Sequence, residues 1–356
     1  MNVAVATDTP PPASAFLGRR RLADRIFTGA LVFNVALTVF WLVLLSTGTT
    51  TIFFGPGTVD LAAVGRVLAG IGFFYVAWGF IWYGIKTALL KYVVGFTKEE
   101  RRAAFSSRMS APYDVADLVA RHSERRIRIV DMIGRRGRFI TLVSAAFYYL
   151  YVQIATQKPD TFAYVFLQQN LFDAVLTSWI FLAFYYGNGF LAAAFYGPQS
   201  RIMDGVLARA NCLLITTLWT FFKFVMVPIG RQLAAVFSPE QFAVVFALIW
   251  GSYVVTDALA EVGGSLFGKQ AIRVRGVGDV NRKSIGGTVT GLVGCLVFCF
   301  ALLASQQLPP AWFALAVAIA LSNTVLELFS PRGTDDFTMA TGNALICWAF
   351  GALVLR

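Results

Sequence analysis

The sequence predicts an all-α, polytopic integral membrane helical bundle with about nine transmembrane helices, and three observations carry that prediction. The chain is 57% hydrophobic and only 14% charged, with a mean hydropathy of +0.67; a soluble domain carries about a quarter charged residues. Apolar runs long enough to cross a bilayer, about 18 residues or more, recur along the chain. Lys and Arg then gather in alternate loops, as they do when a membrane sorts them. The net charge of +11 would alone suggest nucleic acid. The confinement of that charge to loops on one side argues for a membrane and against a nucleic-acid partner.

Taken in order, residues 1–25 predict a disordered cytoplasmic N-terminus, with Pro10, Pro11 and Pro12 among small residues. Arg19, Arg20 and Arg21 precede an apolar run with no small-residue cleavage site behind it, which predicts a retained anchor rather than a cleaved signal. Candidate spans follow at 26–47, 67–95, 139–155, 171–196, 206–229, 240–257, 285–304, 311–329 and 338–355. The third is short, and 161–170 suggests an interfacial helix before the fourth. With the N-terminus in the cytoplasm, the outer loop 48–60 has no Lys or Arg, whereas the inner loop 96–138 has eleven. Lys158, Arg231 and Arg356 fall outside; Arg201, Arg209, the polar stretch 256–290 and Arg332 fall inside. The alternation places the C-terminus outside. The short N-terminal segment leaves no room for a long organellar transit peptide, so a bacterial inner membrane is the expected location.

Three regions result: the N-terminal segment 1–25, membrane helices over 26–239 with the basic cytoplasmic loop 96–138, and a motif-bearing membrane region over 240–356. In the basic loop, Ile127, Ile129, Val130 and Ile133 among arginines predict an amphipathic helix lying on anionic headgroups. His122, the only histidine, reads as a solvated loop residue. Cys212, Cys295, Cys299 and Cys347 all fall in apolar runs and read as buried thiols, without a disulfide framework. Lys223 is a costly charge inside the fifth span, expected to pair with a carboxylate or snorkel.

The chemistry concentrates in 256–290, where charged residues stand among glycines in an otherwise oily chain. Gly263 to Lys269 satisfies a G-x-x-x-x-G-K phosphate-loop spacing, but Gln270 replaces the Ser or Thr that would hold magnesium. A membrane helix also precedes it where a strand is required, which excludes a soluble nucleotidase of that type. Asp257 and Glu261 are four apart, so on a helix they share a face and could jointly hold Mg2+. Lys269, Arg282 and Lys283 can take phosphate charge, while Ser284, Gly287 and Thr288 offer short donors where a helix begins. Asp335 and Asp336, from a different loop, could complete the site or orient an attacking hydroxyl. Each residue also has a plainer reading as a turn-former or helix cap, with Ser284 an N-cap. Gly287 and Gly291 form a small-xxx-small face suited to helix packing.

Three segments carry a resemblance. DALAEVGGSLFGK over 257–269 resembles the D-x-x-A-x-x-x-G-x-x-F-G-[KR] signature of the CTP-dependent lipid kinase family, which includes dolichol, phytol and farnesol kinases and a diacylglycerol kinase, and is related to phosphatidate cytidylyltransferase. KSIGGT over 283–288 is similar to that family's K-[ST]-x-E-G-[ST] element, and ELFSPRGTDDFT over 327–338 to its E-x-x-S-P-x-G-x-D-N-x-T element. Gly286 stands where the family usually has Glu, Asp336 where it has Asn, and Thr256 where Gly commonly precedes the Asp. The resemblance covers roughly the last 110 residues and implies a catalytic role for Asp257, Lys283, Asp335 and Asp336. It also implies CTP as phosphate donor, a prenol-type lipid alcohol as acceptor and Mg2+ as cofactor. Two other readings stand beside it: a cytidylyltransferase making a CDP-lipid, and a degenerate lipid-binding or scaffold protein, which Gly286 favours.

Overall fold

The computed structural model describes residues 13–47, 77–105, 115–137, 201–204, 229–274 apart from 231 and 234, 282–330 and 334–354. The expected spans at 139–155, 171–196 and 206–229, the interfacial segment 161–170, and Lys223 and Cys212 lie outside these residues. So do residues 1–12 of the N-terminal region.

The described chain is mostly helical. Helix α1 covers Ala13–Ser46, α2 covers 77–89 and runs into a π-helical turn, Leu90–Val94. Gly95 closes that turn with a left-handed φ of 88°, donating its N–H to the Leu90 carbonyl, a conformation that suits a residue without Cβ. Three short helices follow: α3 at Lys98–Phe105, α4 at Val115–Arg121 and α5 at 124–137. The C-terminal region holds α6 (Pro239–Phe267), strands β1 (Ala271–Arg273) and β2 (Arg282–Ser284), and helices α7 (Ile285–Ser305), α8 (Ala311–Phe329) and α9 (Asp335–Val354).

Among the described residues, four helices are long and apolar enough to cross a membrane: Val244–Phe267, Ile285–Ser305, Ala311–Phe329 and Phe337–Val354. This is a membrane-type helical protein. The four helices pack into one core through Leu248, Ile249, Cys295, Cys299, Trp312, Ile319 and Met339, all buried. Val289, Val293 and Val297 remain outward on α7, and Leu321, Val325 and Phe329 on α8. Such apolar stripes suit acyl chains. At the centre, the side-chain amides of Asn323 (3.1 Å) and Asn343 (3.0 Å) both donate to Ser252 Oγ. Polar ties of this kind fix helix register inside an apolar bundle.

Three expectations are corrected. The chain is not purely helical: β1 and β2 form an antiparallel pair, with Ala271 opposite Ser284 and Ile272 opposite Lys283. The N-terminal region 1–25 is not disordered throughout, because α1 starts at Ala13; Ala, Leu and Arg are strong helix formers and extend the helix back to that residue. The sixth span does not end at 257. Helix α6, opened by a Ser238–Gln241 capping box with Pro239 in its first turn, continues ten residues further and takes Glu261 with it.

Candidate functional site

The crossing of α6 and α7 decides where the charged residues meet. A Cβ on Gly287 would lie 2.5 Å from the Ala260 carbonyl oxygen, and one on Gly291 would lie 3.0 Å from that of Thr256. The backbones therefore touch, as small-residue faces permit. The hairpin continues this junction, and Ile285 donates its N–H to the Gln270 carbonyl. Lys283, on β2, is aimed back toward the ends of α8 and α9. Its Nζ lies 3.0 Å from Glu327 Oε1 and 3.6 Å from Asp335 Oδ2.

A cavity of about 170 Å³ opens here, lined by Asp257, Glu261, Lys283, Ser284, Gly287, Thr288, Glu327 and Asp335. Arg128, Asp131, Arg201 and Met203, all upstream of α6, line its other side, with Arg135 and Arg136 paired to the cavity carboxylates from behind. Arg136 on α5 meets Asp257 Oδ2 at 2.7 Å and contacts Glu261 Oε2, and also donates to the Asp257 carbonyl at 3.2 Å. Arg135 reaches Glu261 at 3.3 Å, and Arg201 meets its Oε1 at 2.9 Å. Burial works against the charge of Arg136, but Asp257 and then Glu261 outweigh it and raise its pKa above the ordinary arginine value. The guanidinium is thus charged at every accessible pH.

Asp131 fixes this side. It is buried, paired with Lys86 Nζ at 2.8 Å, and accepts the Ile202 N–H at 2.6 Å and that of Met203 at 3.4 Å. The segment carrying Arg201 is thereby clasped to α5. Gly134 admits the Lys86 stem, since a Cβ there would lie 2.7 Å from Lys86 Cδ.

The arrangement divides the residues expected from sequence. Asp257, Glu261, Lys283, Ser284, Gly287, Thr288 and Asp335 line one cavity. Lys269 is exposed and not among the lining residues. The side chains of Arg282 and Asp336 lie outside the described residues. Ser284 and Thr288 are engaged within the first turn of α7: Ser284 Oγ accepts the Gly287 N–H and Thr288 Oγ1 donates to the Ser284 carbonyl, both at 3.1 Å. The cap reading of Ser284 therefore holds alongside its place on the cavity wall.

Sequence reasoning misses six residues. Arg128, Arg135, Arg136 and Arg201 read there only as loop charge, Asp131 has no role there, and Glu327 is only the first letter of a motif. The helix over 124–137 does not simply lie on headgroups: Ile127 and Val130 are buried, and its arginines enter the site. The signal was available in the unpaired carboxylates of an apolar helix, which demand counter-charges from elsewhere. His122 is likewise not solvated. Its Nε2 lies 3.1 Å from both Glu100 carboxylate oxygens and its ring packs on Phe96.

A metal fits part of this donor set. Glu261 is a poor ligand, because three guanidiniums already hold its two oxygens. Asp257 meets Arg136 through Oδ2. Among the described residues, no three His, Cys, Asp or Glu side chains gather as a metal site on their own. Magnesium needs only one or two protein carboxylates when phosphate and water supply the rest, so Asp257 fits and Glu261 does not. Comparison with known proteins adds no relative: no family model, no curated protein and no solved structure matches the chain.

Proposed function

We propose that this protein is a membrane lipid kinase, transferring the terminal phosphate of a nucleotide triphosphate to a prenol-type lipid alcohol. One observation supports it most: Asp257 within α6, Lys283 on β2 and Asp335 at the start of α9 line a single cavity together with Arg128 and Arg201. In this reading Arg128 and Arg201 supply positive charge for phosphate oxygens on one side, and Lys283 on the other, while Arg136 holds Asp257 and Glu261 in place. The apolar stripes of α7 and α8 carry the acceptor's hydrocarbon while its hydroxyl reaches the cavity. Phosphoryl transfer depends on alignment and charge stabilisation, which these groups provide. Magnesium, held through Asp257, would offset charge on the phosphates. CTP as donor rests on the sequence resemblance alone.

The experiment is product analysis with purified protein, CTP labelled in the γ or the α phosphate, and phytol, farnesol or dolichol in mixed micelles. A kinase moves γ label to the lipid and leaves CDP. A cytidylyltransferase, offered phosphatidate, instead places α label on the lipid and releases pyrophosphate. Transfer of neither label, with no nucleotide bound, refutes both enzyme readings and leaves the scaffold.

A further inference from the structure

Lys86 is fully buried on α2 and does not line the cavity, so its charge needs a partner close at hand. Small residues of α5 let that partner approach. A Cβ on Gly134 would lie 2.7 Å from Lys86 Cδ, and one on Gly137 would run into the Trp82 ring. Asp131, three residues before Gly134, shares this face of the helix and meets Lys86 Nζ at 2.8 Å through Oδ1. Its other oxygen, Oδ2, accepts the Ile202 N–H at 2.6 Å and the Met203 N–H at 3.4 Å. Those two N–H groups open the short 3-10 turn Ile202–Asp204, where a helix has no carbonyl of its own to offer them. The residue just before them is Arg201, which lines the cavity and meets Glu261 Oε1 at 2.9 Å. One carboxylate thus joins a buried lysine of α2 to the backbone that carries a cavity arginine.

We infer that Asp131 is a positioning residue for Arg201, with Lys86 as the counter-ion that keeps its carboxylate in place. The inference rests on the kinase reading above, in which Arg201 meets phosphate oxygens. An arginine side chain is long and loses rotamer freedom when it grips an anion. Anchoring its backbone on both following N–H groups removes part of that cost before the ligand arrives. Asp131 therefore acts on phosphate binding through Arg201. It does not act through Lys283, which reaches the cavity from β2.

The test is equilibrium binding of labelled CTP, with magnesium, to the full chain in mixed micelles. Two variants remove both buried charges together, which leaves no orphan ion to disturb the fold: Lys86→Met with Asp131→Asn, and Lys86→Met with Asp131→Ala. Asn keeps a carbonyl oxygen for the Ile202 N–H, whereas Ala does not. The Ala variant should bind CTP at least about tenfold more weakly than wild type. The Asn variant should bind at least about threefold more tightly than the Ala variant. With Arg201→Met added to both, the difference between them should fall below about twofold; with Lys283→Met added instead, it should persist. A change that merely loosened the fold would act alike in both backgrounds. Asn and Ala variants that bind equally, or a difference that survives Arg201→Met undiminished, overturn the inference while sparing the kinase reading. A wild-type protein that binds no CTP overturns both.

Discussion

Arg136 is the residue on which the site's electrostatics converge, and its removal gives the sharpest stability test. The side chain is buried and meets Asp257 Oδ2 at 2.7 Å, Glu261 Oε2, and the Asp257 carbonyl at 3.2 Å. Substitution by Met keeps much of the apolar stem and deletes the charge. Glu261 retains Arg135 and Arg201, but Asp257 loses its close ion-pair partner. Breaking one side of a buried pair costs about 3–5 kcal/mol, because the remaining charge is left uncompensated. Arg136→Met should fall in that range. Adding Asp257→Asn should restore about 0.5–3 kcal/mol of it, the usual coupling between contacting residues. Reversible unfolding in mixed detergent micelles, followed by far-UV circular dichroism, measures all members of the cycle. A single variant within about 1 kcal/mol of wild type, or additive effects in the double variant, would refute the ion-pair argument.

Two further outcomes are expected. Gly287→Leu forces a side chain into the α6–α7 contact, where even a Cβ would lie 2.5 Å from the Ala260 carbonyl; it should cost about 1–3 kcal/mol, and the same unfolding assay reads it. Glu100 should make helices α3 and α4 acid-sensitive. Burial pushes its carboxyl up, but the Thr97 N–H, His122 and Arg121 outweigh this and hold it below its ordinary value of 4.5. A depressed carboxylate stabilises above its unfolded pKa, and that contribution is lost as pH falls through the lower folded value. Limited proteolysis of 98–122 should therefore accelerate below about pH 4.5, and Glu100→Gln should be equally sensitive at neutral pH.

The legible parts of this molecule were those written in periodic or local patterns. The α7, α8 and α9 spans follow from long, predominantly apolar runs, and Ser284 from its place ahead of one. Gly287 and Gly291 announced the close crossing by their spacing. What escaped was long-range pairing. Nothing local ties Arg136 to Asp257, 121 residues away, or Asp131 to the backbone of Ile202. The apolar span ends at 257 in the sequence because Asp257 and Glu261 interrupt the run, although their spacing suits one helix face; their arginine partners make them tolerable inside α6, which runs on to Phe267. Lys269 misled in the opposite sense: its spacing from Gly263 mimics a phosphate loop, but the helix before it leaves it exposed.

The most direct test of the shared site is equilibrium binding of labelled CTP, with magnesium, to wild type and to Arg136→Met, Asp257→Asn, Lys283→Met and Lys269→Met. Wild type should bind. The first three variants, drawn from both halves of the chain, should each weaken binding tenfold or more, about 1.4 kcal/mol, and Lys269→Met should leave it unchanged. Equal binding by all five proteins, or loss only in Lys269→Met, would contradict the account.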